Sequence, residues 1–128
     1  MDDSRPIFTQ IAEAIENDIL SGVLPEEGQV PSTNEFAAFY RINPATAGKG
    51  VNLLVDDGIL YKKRGIGMFV ATGSRQRLAT KRRDEFGAEY IGPLVAEAAK
   101  LGISRDQLVV MIQDAPDEVP TNQEGVAQ

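Results

Sequence analysis

The chain of 128 residues contains no cysteine and no histidine. The first absence removes disulfides and thiol redox chemistry. The two together remove zinc sites of the Cys/His type and every Ser-His or Cys-His dyad. Carboxylates alone can bind metal, yet no run of Asp and Glu has the spacing of a calcium loop, and no metal site is expected. No uninterrupted apolar run approaches the roughly 20 residues that a membrane span needs, so no membrane partner is expected. The acidic start, Met1-Asp2-Asp3-Ser4-Arg5, lacks the apolar core of a signal peptide, which makes the cytoplasm the expected location. With no histidine, no cysteine and no paired carboxylates suited to acid–base work, no catalytic mechanism can be written. The expectation is therefore a non-enzyme without a cofactor.

Positive charge is scarce overall, since the formal net charge is −6. It is not evenly scarce. Residues 1–28 carry one cation, Arg5, against seven acids. Residues 29–70 carry five cations against three acids, and residues 71–128 carry seven against nine. The middle of the chain and the patch from Arg75 to Arg83 are thus locally basic, and an acidic protein can still present a basic face.

Apolar residues recur at Ile7, Ile11, Ile15 and Ile19, which predicts an amphipathic helix from Pro6 to Ser21, closed by Gly22. Its polar face, with Glu13, Glu16 and Asn17, is expected in solvent. A Pro- and Gly-punctuated loop follows from Val23 to Pro31. Ser32-Thr33-Asn34-Glu35 is a capping box that opens a short second helix. Asn43 suits the N-cap, and Pro44 the first position, of a third helix that runs to about Asp57 and stops at Gly58. Two β-prone segments, 59–61 and 67–70, flank Lys62-Lys63-Arg64-Gly65-Ile66 and predict a hairpin. This is the order of a winged helix-turn-helix. The expected fold is mainly α with a small β-hairpin: the winged helix-turn-helix, then a two-helix C-terminal dimerisation segment.

The predicted boundaries are 1–73 for the winged helix, 74–114 for the helical segment and 115–128 for a disordered, Pro-rich and acidic tail. Within the segment, Leu78, Phe86, Tyr90, Leu94, Ala98 and Leu101 follow helical spacing, with a kink expected at Pro93 and a stop at Gly102. A second capping box, Ser104-Arg105-Asp106-Gln107, opens the last helix. Two helices bury little apolar surface by themselves. Phe86, Tyr90, Leu94, Leu101, Leu108, Met111 and Ile112 are therefore expected in a homodimer core or an effector groove. Back-folding of the segment onto its own domain is the competing arrangement.

The stretch Asn43-Pro44-Ala45-Thr46-Ala47-Gly48-Lys49-Gly50 contains a Gly-Lys pair reminiscent of a phosphate loop. The loop needs an earlier Gly four residues before that pair, a Ser or Thr after it, and a preceding strand. Asn43 stands in the first place, Gly50 in the second, and a helix precedes. A nucleotide pocket is rejected. On a helical wheel Ala47, Val51, Leu54 and Val55 face a core, while Asn43, Ala45, Thr46, Gly48 and Lys49 form a surface of small and cationic groups. A helix of this kind meets base edges with its N-terminal half. Gly48 and Gly50 each weaken the helix by about 1 kcal/mol relative to Ala. Close approach of DNA at Gly48 and tight helix packing at Gly50 are the reasons expected for them.

Taken together, several motifs make the chain resemble the GntR family of bacterial transcription regulators between about Pro6 and Val70. They are Gln10-Ile11, Ile19-Leu20-Ser21-Gly22, Val30-Pro31-Ser32 with Glu35 and Ala37, Asn43-Pro44-Ala45-Thr46, Asp57-Gly58-Ile59 and Gly65-Ile66-Gly67-Met68-Phe69-Val70. The short C-terminal part, with Tyr90-Ile91, Pro93-Leu94 and Leu101-Gly102-Ile103-Ser104, is similar to the YtrA subfamily. The resemblance implies a dimeric regulator, usually a repressor, that binds a palindromic DNA operator and responds to a small-molecule effector. It implies DNA contacts from Ser32 and Thr33, from Asn43, Thr46 and Lys49, and from Gly65 and Gly67. Asn34 replaces an Arg frequent in the family, Glu26-Glu27-Gly28 replaces Pro-Gly-Asp, and Met68 stands where Thr is common. Ser32, Thr33 and Asn34 lie at a helix start, where backbone N–H groups can meet phosphate. Lys62, Lys63, Arg64 and Arg5 add salt-sensitive backbone contacts. The rival reading is a winged-helix module for protein association, without specific DNA binding.

Overall fold

In the computed structural model, which describes residues 4–117, the helices begin and end where local chemistry allows. Helix α1 (Ile7–Ser21) starts after Pro6 and stops at Gly22, whose φ of 88° is the left-handed geometry that glycine adopts without strain. Helix α2 (Thr33–Tyr40) has the full capping box: Ser32 Oγ accepts from the Glu35 N–H, and the Glu35 carboxylate accepts from the Ser32 N–H. Helix α3 (Pro44–Asp56) is capped by Asn43, whose side-chain oxygen accepts from the Ala45 N–H at 2.7 Å. Strands β2 (Leu60–Lys63) and β3 (Gly67–Val70) pair antiparallel, with Leu60 opposite Val70 and Lys63 opposite Gly67.

A third strand, β1 (Gln29–Val30), pairs antiparallel with β3, and the sheet order is β1-β3-β2. The sequence reading treats those residues as loop. Two residues carry too little periodicity to announce a strand, and their partner lies some forty positions away.

The core gathers Ile11, Ile15 and Ile19 of α1, Val51 and Leu54 of α3, and Val30, Leu60 and Val70 of the sheet. Gly50 is buried at the α1–α3 crossing. A Cβ built there would stand 2.6 Å from the Phe8 carbonyl oxygen and 3.0 Å from Ile11 Cβ. The two backbones approach closely because position 50 has no side chain.

Helix α4 (Ser74–Phe86) contributes Leu78 to that core, and its Ser74 is fully buried. The first compact unit accordingly runs to Asp84, beyond the boundary expected after residue 73. One consequence corrects the sequence reading of α1. Glu16 is not solvated: its side chain is 12% exposed and pairs with Arg82 at 3.3 Å.

The second unit begins at Glu85. It holds a π-helical turn (Gly87–Ile91), helix α5 (Gly92–Lys100) and helix α6 (Arg105–Asp114). The irregularity expected at Pro93 takes the form of this π-turn, in which the Gly92 N–H reaches back to the Gly87 carbonyl. Gly102 follows α5 with φ 73°, and Ser104 and Gln107 form the second capping box. Of the tail predicted to be disordered, residues 118–128 lie outside the described residues.

Candidate nucleic-acid interface

The start of α2 and the exposed side of α3 lie next to each other. A Cβ built at Gly48 would meet only Thr33 Cγ2, at 3.5 Å. Ser32, Thr33 and Asn34 therefore continue the surface formed by Asn43, Ala45, Thr46, Gly48 and Lys49. Ala47, Val51 and Leu54 are turned inward, as the wheel requires. Asp56 and Asp57 sit at the opposite end of α3, away from the surface that would need to accept an anion.

Several of these groups are already committed within the domain. The Ser32 N–H, expected to meet phosphate, already donates to Glu35 Oε1 at 2.7 Å. The first-turn N–H groups of Thr33 and Asn34 are the ones that the capping box does not use. Asn43 keeps its amide nitrogen as a donor, because its oxygen caps α3. Lys49 does not extend away from the domain: its Nζ rests 4.2 Å from the centre of the Phe8 ring. A cation–π contact at an exposed site is worth about 0.5–1 kcal/mol, weak enough for a phosphate to compete with. Arg5 pairs with Glu13, which sets part of its charge against an acid of α1. In the sequence Phe8 only widens the apolar stripe of α1, and its ring contact with Lys49 discloses the second role.

The hairpin divides its cations. Lys63 lies over Phe69, with Nζ 4.7 Å from the ring centre, on the side where Tyr61 and Phe69 stack. Alternation along β2 sends Lys62 to the other side. The three cations expected to act as one grip are thus not on one face. Gly65, with φ 75°, permits the turn. At Gly67 a Cβ would sit 2.6 Å from Gln29 Nε2, which itself donates to the Ile66 carbonyl at 3.1 Å. The turn is pinned from β1 and presents Ile66, 64% exposed, at its tip.

Glu27 anchors the base of the hairpin. Its carboxylate accepts from the Thr72 hydroxyl at 2.6 Å, from the Thr72 N–H at 3.1 Å and from the Tyr61 hydroxyl. These bonds, that from the Thr72 hydroxyl foremost, hold its pKa below the usual carboxylate range. The same contact, seen from Tyr61, raises the phenol. Glu27 adopts φ 64°, a conformation that favours glycine, and the three bonds hold it there.

In the second unit Phe86, Tyr90, Leu94, Leu101, Met111 and Ile112 are all exposed, from 39% at Leu94 to 65% at Leu101. Phe86 and Tyr90 touch, with ring centres 5.5 Å apart. Leu108 differs from the group. It is 7% exposed, already packed within its own chain, and offers no surface to a partner. Among the described residues no three acidic side chains converge as a metal site, and no helix is long and apolar enough to cross a membrane.

Comparison with known proteins places this geometry among regulators. Residues 8–70 match the family described as bacterial regulatory proteins, gntR family. A solved structure of a putative GntR-family transcriptional regulator from Bacteroides thetaiotaomicron is 35% identical, with a TM-score of 0.66 over 84% of this chain and 94% of that one. The HTH-type transcriptional repressor YtrA of Bacillus subtilis (strain 168) is 25% identical over 91% of this chain and 88% of its own length. The DNA-binding domain of AraR, solved in complex with operator ORX1, is 29% identical with a TM-score of 0.51, over 56% of this chain and 87% of that one. The chain spans only about a third of two other curated relatives that it matches, 35% and 30% of their lengths.

Proposed function

Because the chain belongs to the GntR family of bacterial regulatory proteins, we propose that it is a transcriptional regulator, a repressor, that binds a palindromic DNA operator as a homodimer. The observation that carries the reading is the continuous surface of Thr33, Asn34, Asn43, Thr46, Gly48 and Lys49, open at Gly48 and flanked by a pinned basic hairpin. Side chains at the start of α3 would read base edges in the major groove, and N–H groups at the start of α2 would set the register on phosphate. AraR, similar over this region, has been solved on operator DNA, which supports the same use of these elements here.

The second unit supports the dimer. Among its described residues only Ala98 and Leu108 are buried, whereas nine large apolar side chains are exposed. A solvated monomer rarely keeps so much apolar surface together. We assign Phe86, Tyr90, Leu94, Leu101, Met111 and Ile112 to packing against a second copy. A palindromic operator would mirror the two-fold symmetry of such a pair.

The test begins by selecting duplexes from a random-sequence pool with the purified protein. Gly48→Glu is then compared with the wild type by gel shift on the selected duplex. The glutamate finds open space, so folding is retained, and its charge faces the phosphates, so binding is lost. Unchanged binding by Gly48→Glu would remove α3 from the interface. Failure of the wild type to retain any duplex at low salt would favour the protein-association reading.

A further inference from the structure

The arginines of α4 are used in an unexpected way. A helix end leaves carbonyl groups without donors and carries partial negative charge, which a cation in the last turn ordinarily answers. Neither α1 nor α3 has a basic residue in its last turn. Each receives one from α4. Arg75 donates its Nε–H to the Leu20 carbonyl at the end of α1, at 3.1 Å. Arg77, two residues further along, donates from Nη2 to the Asp57 carbonyl at 2.7 Å and from Nη1 to the Gly58 carbonyl at 3.1 Å. Gly58 leaves the room for this: a Cβ there would stand 3.3 Å from Nη1. The start of α4 is itself fixed, by the Ser74 hydroxyl on the Ile59 carbonyl at 2.8 Å and by Leu78 in the core.

We propose that Arg77 is a positioning residue of the DNA interface: it grips the C-terminal end of α3 and so sets the angle at which the N-terminal half of that helix meets DNA. The inference rests on the DNA-binding reading above. Helix α3 is seated by its buried Ala47, Val51 and Leu54 and by the close crossing at Gly50, near its middle, while the Arg77 fork holds its far end. Without the fork, the helix keeps that seat and loses the side-chain contact that braces its tilt. The basic patch 75–83 remains at the surface, yet on this account two of its arginines are spent on carbonyls of the domain itself.

The experiment compares Arg77→Gln, Arg77→Lys and the charge-matched Arg82→Gln. Arg82 also binds α4 to the domain, but through Glu16 of α1. Affinity for a duplex selected by the wild type is measured across a salt series, at a temperature where circular dichroism shows each variant folded. Amide hydrogen exchange is followed in parallel at the C-terminal end of α3. Arg77→Gln is expected to bind roughly tenfold more weakly than Arg82→Gln, the scale of one charge-assisted hydrogen bond, with the same salt slope and with faster exchange at residues 53–58. Arg77→Lys, with one donor group in place of a fork, recovers only part of the loss, and it carries the test if the Gln variant does not fold. Equal affinities for Arg77→Gln and Arg82→Gln would reduce the fork to a stabilising cap and overturn the proposal. Full rescue by Lys, with a salt slope lowered by about one in the Gln variant, would mean a direct phosphate contact instead. If the wild type selects no duplex, the DNA reading fails first, and it fails before any variant is compared.

Discussion

Alanine at Gly48 and alanine at Gly50 should change stability in opposite directions, although the two sites are two residues apart in one helix. Either substitution gains about 1 kcal/mol of helix propensity. At position 48 the new methyl meets only Thr33 Cγ2, at 3.5 Å, an ordinary contact. Nothing offsets the gain there, and Gly48→Ala should be more stable by about 1 kcal/mol. At position 50 the methyl would stand 2.6 Å from the Phe8 carbonyl oxygen and within 3.1 Å of two Ile11 side-chain atoms. The oxygen belongs to backbone in the first turn of α1 and cannot turn aside, so α1 and α3 must separate. Overpacking of this kind costs about 1–3 kcal/mol. The propensity gain offsets only the low end, and Gly50→Ala should be less stable by up to about 2 kcal/mol. Urea titration followed by far-ultraviolet circular dichroism, at one protein concentration for all variants, measures both. A midpoint for Gly50→Ala at or above that of Gly48→Ala would refute the claim that the missing side chain seats α3 against α1.

Other outcomes follow from the same geometry. Lys62, Lys63 and Arg64 changed together to Ala should weaken binding to every duplex and flatten the dependence of affinity on salt; an unaltered slope would take the hairpin out of the interface. Leu94→Glu should convert the protein, in light scattering at micromolar concentration, from a dimer to a monomer of 13.9 kDa; a wild type that is already monomeric refutes the dimer. The Glu27 bonds predict a pH window. Its folded pKa is lowered, so its contribution is present above the ordinary 4.5 and lost as pH falls through the folded value. Tyr61 is raised, so its contribution is full below 10.0 and lost as pH rises through the folded value. Glu27→Gln should remove the acid limb from urea midpoints measured against pH, and an identical acid limb in the variant would show that other carboxylates cause it.

The parts of the fold that could be read from the sequence are those whose chemistry is local. Ser32 with Glu35, Asn43 with Ala45, and Ser104 with Gln107 each place donor and acceptor within three residues, so the pattern and the bond coincide. The inward face of α3 is legible for the same reason, because periodicity is a property of one helix. What escaped depends on distant partners. Strand β1 exists only because β3 offers an edge. Glu16 is covered by a residue 66 positions later. Glu27 takes a left-handed conformation at a site where glycine would be unstrained, and its bonds to Tyr61 and Thr72 cross more than thirty residues. At the candidate interface the Ser32–Glu35 spacing already implies that the Ser32 N–H is given to Glu35, whereas the contact of Lys49 with Phe8 leaves no trace in spacing.

The π-turn at Gly87–Ile91 bears on ancestry. A turn with one extra residue is how a helix absorbs a single insertion without unravelling. Relatives in which this stretch is regular α-helix should therefore align with a one-residue gap between positions 87 and 91. The wide turn takes up the extra residue where it stands, so the apolar positions before Gly87 and those after Ile91 are not related by regular α-helical spacing. Deleting Gly87 should restore regular α-helix through this stretch, and light scattering of that variant reads whether the spacing of Phe86 and Leu94 governs self-association.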